Sequence, residues 1–375
     1  MSLPEPSILV AAASGRALAG AARRSGFRPL VADFFDDLDT RALCPANVTA
    51  GGIEQGFEAC VLVERLQALA ADEAPVGVVY GSGFEDRPEI IDALARHFRV
   101  YGNCSGVVAQ AKDPRRLAKA CCDLGIPHPE IGFDTPPDAD RWLIKRQGGG
   151  GGLSIAPASS RKPGPLDYYQ RRVRGRPVSV LLLADGRRAQ MLGTSAQWAT
   201  PDTSRPFRFG GAVRPADVDL PMQQAICRAA ERLAEAFALA GLNSVDFLVA
   251  EDTFHAIEIN PRPGATLDIF AHPRLFAAHL DACGGHLPNA PLIFTRAGAT
   301  AIAYAPCDVA HMPELDWPGW CADRQKPGTR LAAGDPVCTV SAEAEEPGTA
   351  RKMVGERVAA IRSYLTSFGS EESAA

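Results

Sequence analysis

The sequence contains no long run of basic residues and no apolar segment long enough for a membrane-spanning helix. Its formal net charge is -5, so binding to nucleic acid through phosphate contacts is not indicated. Residues 1–6 lack the basic start and the apolar core of a signal peptide. We therefore expect a cytoplasmic protein whose partners include neither nucleic acid nor a membrane.

Common signatures of zinc and nucleophilic chemistry are also missing. The ten cysteines form no C-x-x-C pair and fit no zinc spacing, which indicates reduced and mostly buried thiols. The seven histidines form no H-E-x-x-H motif, and no G-x-S-x-G elbow presents a serine nucleophile. Neither a P-loop nor a G-x-G-x-x-G after the first strand is present, so two familiar nucleotide-binding loops are excluded.

Strand and helix patterns alternate through the N-terminal part of the chain. This alternation predicts a parallel, doubly wound α/β sheet. Ligands of such sheets bind at the carboxyl ends of the strands, where the turns 13–15 and 81–83 fall. The predicted strands are 8–12, 29–32, 76–80 and one that starts at 100–101, and the predicted helices are 16–25, 53–71 and 87–97.

The pattern changes at Asp113, where an Asp-Pro pair predicts the start of a helix that Gly125 ends. A strand over 141–145 then leads into five consecutive glycines, 148–152, which favour a flexible loop. The remaining predicted elements are a helix-like segment at 166–170, hairpin strands at 178–183 and 188–194, a helix over 221–240 ended by Gly241, strands at 245–250 and 254–260, and a separate β-rich appendage after 299 that closes with a helix at 349–367.

The strongest local signal is the hairpin formed by the strands at 245–250 and 254–260. A turn centred on Asp252 would place Asp246 directly opposite Glu258, and strand alternation puts Glu258 and Asn260 on one face. Two opposed carboxylates repel, and burying them unpaired is costly. A hard divalent cation such as Mg²⁺, with Mn²⁺ as an alternative, would relieve this conflict. An exposed face on which both acids pair with Arg or Lys is the alternative interpretation.

Two lysines are candidates for contacts with a nucleotide. Lys145 ends the strand before the glycine run, and glycine N–H groups can cradle a phosphate beside a lysine charge. A plain flexible linker is the alternative interpretation of the same glycines. Lys112 precedes the helix that starts after Asp113, but a single lysine is more often solvated surface.

Taken in order, these features resemble the ATP-grasp superfamily. The resemblance covers residues 7–280, and its most specific part is Glu258-x-Asn260-Pro-Arg262 with Asp246 upstream. It implies an α/β and α+β architecture with an N-terminal parallel-sheet domain, two lobes that grip ATP and a small C-terminal β-rich appendage. The implied domains are 1–111, a lid lobe at 112–180, a metal-binding lobe at 181–298 and the appendage at 299–375.

The resemblance also implies an activity and a set of site residues. The usual reaction of the superfamily joins a carboxylate to an amine through an acylphosphate, at the expense of ATP and with Mg²⁺. The segment 168–180 resembles the hinge that holds adenine, and Gln170 stands where many members have Glu. The implied metal ligands are Asp246, Glu258 and Asn260, the implied catalytic residues are Arg262 and Lys145, and the implied ATP contacts are Lys112, Lys145, Gly149, Gly150, Gly151, Ser154, Gln170, Arg171 and Val173.

A finer resemblance concerns the substrates. The segments 195–198 and 209–215 are similar to archaeal-type coenzyme ligases, which include tyramine–glutamate ligase. This implies that an amino acid such as glutamate is joined to a coenzyme precursor, with Arg214 and Arg262 as contacts for the substrate. A homodimer is expected from the habit of the family.

Two other functions stay open at this point. A catalytically silent ATP-binding scaffold or sensor would account for the altered hinge, although a binder has less need of three metal ligands. An ATP-dependent carboxylase is the other, because the segment after 299 resembles the small β-rich domain that follows the ATP-binding core of biotin carboxylase.

Overall fold

A computed structural model describes residues 5–372, and its N-terminal part is a five-stranded parallel sheet with the strand order β3-β2-β1-β4-β5. The order reverses between β1 and β4, so the turns at 13–15 and 81–83 lie side by side at the switch point. The strands are β1 (Ser7–Ala11), β2 (Arg28–Asp33), β3 (Ala46–Thr49), β4 (Val78–Tyr80) and β5 (Val100–Tyr101), and the helices are α1 (Arg16–Arg24), α2 (Leu38–Leu43), α3 (Ala59–Ala70), α4 (Glu89–Ala95) and α5 (Ser105–Lys112). The predicted parallel sheet is confirmed.

Helix α3 begins at Ala59 and not at residue 53 as predicted. Gly51 and Gly56 have φ values of 104° and 66°, and the Gly56 N–H donates to the Gly52 carbonyl over 2.7 Å. Left-handed glycines of this kind form a tight turn, and a regular right-handed helix cannot include them.

A small four-stranded sheet follows, with the strand order β6-β9-β7-β8. The segment at 166–170, for which a helix was predicted, is strand β9, and Tyr169 pairs with Ile144 of β7. Five residues are too few to distinguish the 3.6-residue repeat of a helix from the 2-residue repeat of a strand, and tyrosine favours strands. The elements are α6 (Pro114–Leu124), β6 (Ile131–Gly132), β7 (Trp142–Arg146), β8 (Ala156–Pro157) and β9 (Asp167–Arg171).

The largest layer is an eight-stranded sheet with the order β14-β13-β10-β11-β12-β15-β17-β16. All of its pairings are antiparallel. Its strands are β10 (Arg176–Asp185), β11 (Ala189–Ala199), β12 (Phe209–Arg214), β13 (Ala240–Val249), β14 (Phe254–Asn260), β15 (Ala297–Tyr304), β16 (Cys321–Ala322) and β17 (Pro336–Ala344), and the remaining helices are α7 (Leu220–Ala236), α8 (Leu275–Cys283) and α9 (Pro347–Glu372).

Two predictions about the C-terminal half are wrong. Helix α7 ends at Ala236, because Ala238 turns the backbone to a φ of 50° and strand β13 has already begun at Ala240. The segment after 299 is not a separate appendage, since Ala299 of β15 pairs with Val213 of β12 and so continues the central sheet. The domain boundaries inferred from the sequence stay proposals.

Apolar packing fixes these layers against each other. Beside the N-terminal sheet, Phe57 and Phe84 are fully buried and their ring centroids lie 4.9 Å apart. One face of the central sheet buries Val245 and Phe247 against α7 and α6. Among residues 5–372, no helix combines the length and apolar character that crossing a membrane requires.

Candidate active site

The hairpin of β13 and β14 places the two predicted acids face to face. Asp246 pairs directly with Glu258, and Ser244 pairs with Asn260. Phe247 pairs with Ala256, so Ile257 is an extra residue that bulges out of β14. The bulge shifts the register by one residue, and only this shift brings Glu258 opposite Asp246.

Three predicted residues of this hairpin interact, and Lys112 joins them. The Asn260 Nδ2 donates to the Asp246 Oδ2 over 2.9 Å. The Lys112 Nζ donates to the Glu258 Oε1 over 2.6 Å and to the Asn260 Oδ1 over 3.3 Å. A protein cation therefore compensates part of the acidic charge for which the sequence argument required a metal ion.

Two successive helices position the Lys112 side chain. Lys112 is the last residue of α5, and the Asp113 side chain accepts from the Arg115 N–H over 2.8 Å to start α6. The sharp change of direction at Asp113 turns the lysine inward, and only 8% of the residue is exposed. Lys112 is therefore not the solvated surface lysine of the alternative interpretation.

The two acids have opposite pKa shifts. Burial, together with the field of Glu258, raises the pKa of Asp246. Burial also opposes ionisation of Glu258, but the charges of Lys112 and Lys145 outweigh it and lower the pKa of Glu258. Lys112 thus favours the ionised form of Glu258. The negative charge of Asp246 is compensated less by the surrounding cations.

The donor atoms at the hairpin fit a hard divalent cation. The Asp246 Oδ1 is buried and has no hydrogen-bond partner, which is a costly arrangement in the absence of a ligand. Carboxylate and amide oxygens are the ligands that Mg²⁺ prefers. Within the described residues no group of three or more His, Cys, Asp and Glu side chains could hold a metal ion, so the Asn260 oxygen would have to act as the third protein ligand.

A second ion pair lies beside the first. The Arg262 Nε donates to the Glu85 Oε1 over 2.7 Å, and the Glu85 Oε2 accepts from the N–H groups of Gly83 and Phe84. Burial alone would raise the pKa of Glu85, but the charges of Arg262 and Lys112 lower it to about 2. Sequence reasoning missed Glu85, although its position directly after the 81–83 turn was an available signal.

Three cations and three carboxylates face each other at one end of the cleft. The cations Lys112, Lys145 and Arg262 face the carboxylates Glu85, Asp246 and Glu258. A bound polyphosphate would add negative charge that no further cation from this set neutralises. Divalent ions are the usual source of that compensation.

Lys145 projects from β7 into the same region. Its Nζ donates to the Gln170 Oε1 over 3.3 Å, and the Tyr168 ring centroid lies 5.9 Å away. Burial acts to lower the pKa of Lys145, but Tyr168 and Glu258 raise it, so the ammonium stays charged. Gln170 therefore orients a buried cation.

The glycine loop is held at both ends. A Cβ added to Gly148, whose φ is 76°, would clash with the backbone of Asp86 in the N-terminal domain. A Cβ added to Gly152, whose φ is 70°, would clash with the Phe207 carbonyl. The loop thus spans from the N-terminal domain to the central sheet and covers the cleft between them.

Two connected cavities hold most of the predicted ATP contacts. A smaller one contains Lys112, Lys145, Gly149, Gly150 and Ser154. A cleft of about 730 Å³ contains Lys145, Gly151, Gln170, Arg171, Val173, Asp246, Glu258, Asn260 and Arg262. The two cavities share five lining residues, which are Lys145, Gly152, Ile155, Ile257 and Glu258.

Arg214 lies outside this group. Its Nε donates to the Ile269 carbonyl over 2.6 Å, and its Nη1 donates to the Phe294 carbonyl over 3.3 Å. It lines neither of the two cavities. The structure therefore gives Arg214 a role in holding loops together and does not place it where the predicted substrate contact requires.

Comparison with known proteins agrees with this geometry. Residues 111–266 match the family model of the ATP-grasp domain, whereas no curated protein matches the sequence. Biotin carboxylase from Campylobacter jejuni, solved as a complex with β,γ-ATP, is 14% identical with a TM-score of 0.68 over 92% of this chain and 88% of that chain.

Two other solved structures are similar over most of their length. The N5-carboxyaminoimidazole ribonucleotide synthetase from Thermotoga maritima is 12% identical with a TM-score of 0.65, over 94% of this chain and 98% of that chain. The biotin carboxylase domain of Hydrogenobacter thermophilus 2-oxoglutarate carboxylase, in complex with MgADP and bicarbonate, is 11% identical with a TM-score of 0.67, over 92% and 87%. The chain therefore contains an ATP-grasp domain and has the ATP-grasp fold, as the sequence predicted.

Proposed function

We propose that the protein is an ATP- and Mg²⁺-dependent ligase that joins a carboxylate to an amine through an acylphosphate. The contact of Lys112 with Glu258 and Asn260, beside the unpartnered Asp246 Oδ1, is the observation that carries the proposal. This arrangement lies where the two cavities meet, below a glycine loop. A cation site and a phosphate loop at one point are what phosphoryl transfer requires.

The proposed reaction has two steps. A substrate carboxylate oxygen attacks the γ-phosphorus of ATP, and ADP leaves with the electrons of the broken P–O bond. The amine nitrogen then attacks the acyl carbon, phosphate leaves, and the amine proton passes to solvent. Neither step needs a nucleophile from the protein, because positioning and charge neutralisation supply most of the catalysis.

Each site residue has a proposed task. Asp246, Glu258 and Asn260 would hold Mg²⁺, which neutralises phosphate charge when it is bound. Lys112 and Lys145 would bind phosphate oxygens, and Arg262, which Glu85 holds in place, would orient the substrate carboxylate. The remaining predicted ATP contacts are Gly149, Gly150, Gly151 and Ser154 in the loop and Gln170, Arg171 and Val173 at the hinge.

An ATP-dependent carboxylase is the second candidate. The overlap with biotin carboxylase extends over 92% of this chain, and strands β15–β17 continue the central sheet beyond the ATP-grasp domain. In that case bicarbonate would be the phosphorylated acid. Glutamate as the acid, a coenzyme precursor as its partner and a homodimer stay predictions.

Trapping of the acylphosphate tests the ligase. The protein is incubated with ATP, Mg²⁺, pooled carboxylic acids and hydroxylamine, which converts an acylphosphate to a hydroxamate and phosphate. Glu258→Gln should abolish hydroxamate formation. Glu251→Gln, an exposed position in the turn of the same hairpin, is the matched control and should keep the wild-type rate.

Each outcome separates the candidates. Acid-dependent hydroxamate that disappears only in Glu258→Gln supports the ligase. Phosphate release that depends on bicarbonate and gives no hydroxamate indicates the carboxylase. Tight ATP binding without phosphate release for any acid or bicarbonate indicates a silent scaffold and contradicts both enzymes.

A further inference from the structure

The cleft has an apolar wall whose role the proposed reaction does not explain. We propose that the acid substrate carries an apolar, preferably aromatic, body that packs against this wall. The wall consists of Phe207, Phe209, Ile302 and Tyr304, all of which line the cleft of about 730 Å³. The inference rests on the proposed function, and it adds the substrate class.

Charge divides the cleft into two ends. Its charged lining residues come from β7, β13, β14, the hinge and the loop after β14. Strands β11, β12 and β15 contribute no charged side chain to the lining. A ligand that extends from the phosphate end toward these strands therefore leaves the charged surface and meets an apolar one. The charged lining residues are Lys145, Arg171, Arg172, Arg174, Asp246, Glu258 and Arg262.

The register of the central sheet places the wall and the proposed metal ligands on one face. Asp246 is aligned with Ser195 across β10, and Gln197 follows two residues later on the same face of β11. Gln197 is aligned with Thr300 across β12, and Ile302 again follows two residues later. The face therefore carries Asp246 on one strand and Ile302 on another, with β10, β11 and β12 between them.

The wall is held rigidly and is joined to the glycine loop. The Tyr304 hydroxyl donates to the Phe209 carbonyl over 2.7 Å, and the Arg208 guanidinium covers the Tyr304 ring at 3.6 Å from its centroid. The Phe209 N–H donates to the Gly151 carbonyl over 2.9 Å. The wall thus borders the space under the loop, where the acylphosphate would form.

The position of Arg262 indicates which substrate the wall serves. Its Nε and Nη1 donate to Glu85 and to the Pro263 carbonyl, whereas its Nη2 donates to no partner among the described residues. This free N–H could donate to the carboxylate of an acid bound in the same cleft as the wall. Glutamate would bring a second carboxylate against apolar side chains, and burial of an unpaired charge is costly.

Matched pairs of acids test the inference in the hydroxamate assay. 3-Phenylpropanoate and 4-methylpentanoate are compared with succinate, glutamate and bicarbonate, with ATP and Mg²⁺ held constant. We expect kcat/KM for the apolar acids to exceed that for the dicarboxylic acids at least about tenfold, the scale on which hydrophobic pockets discriminate.

Variants of the wall locate the effect. Ile302→Ser should lower kcat/KM for the apolar acids about tenfold, mainly through a higher KM. Ile302→Val, which keeps an apolar side chain, should have a kcat/KM close to that of the wild type. Ile293→Ser, at an isoleucine that is 69% exposed and outside the cleft, is the matched control. The affinity for ATP, measured by calorimetry, should stay unchanged in all three variants and shows that each variant is folded.

The outcomes separate this inference from the proposed function. Hydroxamate formation that is equal or better with glutamate and succinate, and is insensitive to Ile302→Ser, would overturn the apolar wall and leave the ligase intact. Phosphate release with bicarbonate alone, or no release at all, would overturn the ligase and the wall together. A preference for apolar acids that Ile302→Ser removes and Ile293→Ser keeps supports the proposal.

Discussion

The Lys112 ammonium donates to the Glu258 carboxylate over 2.6 Å, although 146 positions separate the two residues in the chain. The bond joins the end of α5 to strand β14, so it fixes the N-terminal domain against the hairpin that carries the proposed metal ligands. Lys112 is also a proposed phosphate contact, so a bound nucleotide would compete with this ion pair. Binding of metal and nucleotide would then replace one set of ionic contacts with another.

Removal of Lys112 should destabilise the protein more than removal of both partners. Lys112→Met leaves Glu258 beside Asp246 without its cation, and we expect a loss of about 2 kcal/mol in the free energy of unfolding. Lys112→Met combined with Glu258→Gln should recover most of that loss. Urea unfolding of the four proteins in a double-mutant cycle measures the coupling energy. Additive effects of the two substitutions would show that the pair contributes nothing beyond its separate side chains.

The Glu85–Arg262 pair should make stability depend on pH in the acid range. The pKa of Glu85 is lowered from 4.5 to about 2, since Arg262 and Lys112 outweigh the effect of burial. A carboxyl group with a lowered pKa stabilises the fold above its unfolded pKa, and the contribution is lost as the pH falls from about 4.5 toward 2. The shift corresponds to roughly 3 kcal/mol at neutral pH.

Glu85→Gln removes this titration. The free energy of unfolding at pH 7 should be larger for the wild type than for Glu85→Gln. This gap between the two proteins should be smaller by roughly 2 kcal/mol at pH 3. Urea unfolding at both pH values, with Glu251→Gln as the surface control, provides the measurement. A gap of constant size between pH 7 and pH 3 would rule out the ion pair as its source.

Much of the architecture could be predicted because it follows from local patterns. The alternation of apolar runs with helical periods predicted the parallel N-terminal sheet, and the Asp113-Pro114 pair located the start of α6. The opposition of Asp246 and Glu258 was predicted from a turn centred on Asp252, whereas the pairing of Val249 with Phe254 centres the turn half a residue earlier. That argument succeeded with the help of a bulge at Ile257, which no local pattern announced.

The contacts that complete the site could not be predicted, because they join distant segments. Glu85 and Arg262 form an ion pair although 177 positions separate them, and no pattern around Glu85 in the sequence indicates Arg262 as its partner. Strand β9 was mistaken for a helix because its pairing with β7, and not its own short pattern, decides its conformation. The sequence around Arg214 predicted a substrate contact. Its actual partners are the carbonyls of Ile269 and Phe294, which are 55 and 80 positions away in the chain.

The structural role of Arg214 gives a third prediction. Arg214→Met leaves the carbonyls of Ile269 and Phe294 without their donor, and we expect a loss of about 2 kcal/mol in the free energy of unfolding. KM for the acid substrate should change less than twofold, because the side chain lines neither cavity. Arg188→Met, at a position where the side chain is 73% exposed, is the control for loss of positive charge. A large rise in KM without loss of stability would restore Arg214 as a substrate contact.

The glycine loop gives the last prediction, and the chain offers its own control. A Cβ on Gly152 would clash with the Phe207 carbonyl, whereas a Cβ on Gly319, which lies outside the cleft, meets no atom within 4 Å. Gly152→Ala should therefore prevent the loop from docking on the central sheet and lower the rate of hydroxamate formation about 100-fold, the scale on which small misplacements act. Gly319→Ala should stay within a factor of about two, since it adds one methyl group in open space.

ATP affinity distinguishes a loop that closes over the reaction from one that only binds the nucleotide. If closure is what Gly152 provides, the dissociation constant for ATP, measured by calorimetry in the absence of the acid, should rise much less than the rate falls. Equal losses in rate and affinity would assign the loop to nucleotide binding alone. Equal effects of Gly319→Ala and Gly152→Ala would refute the docking of the loop on Phe207, because only one of the two positions approaches that carbonyl.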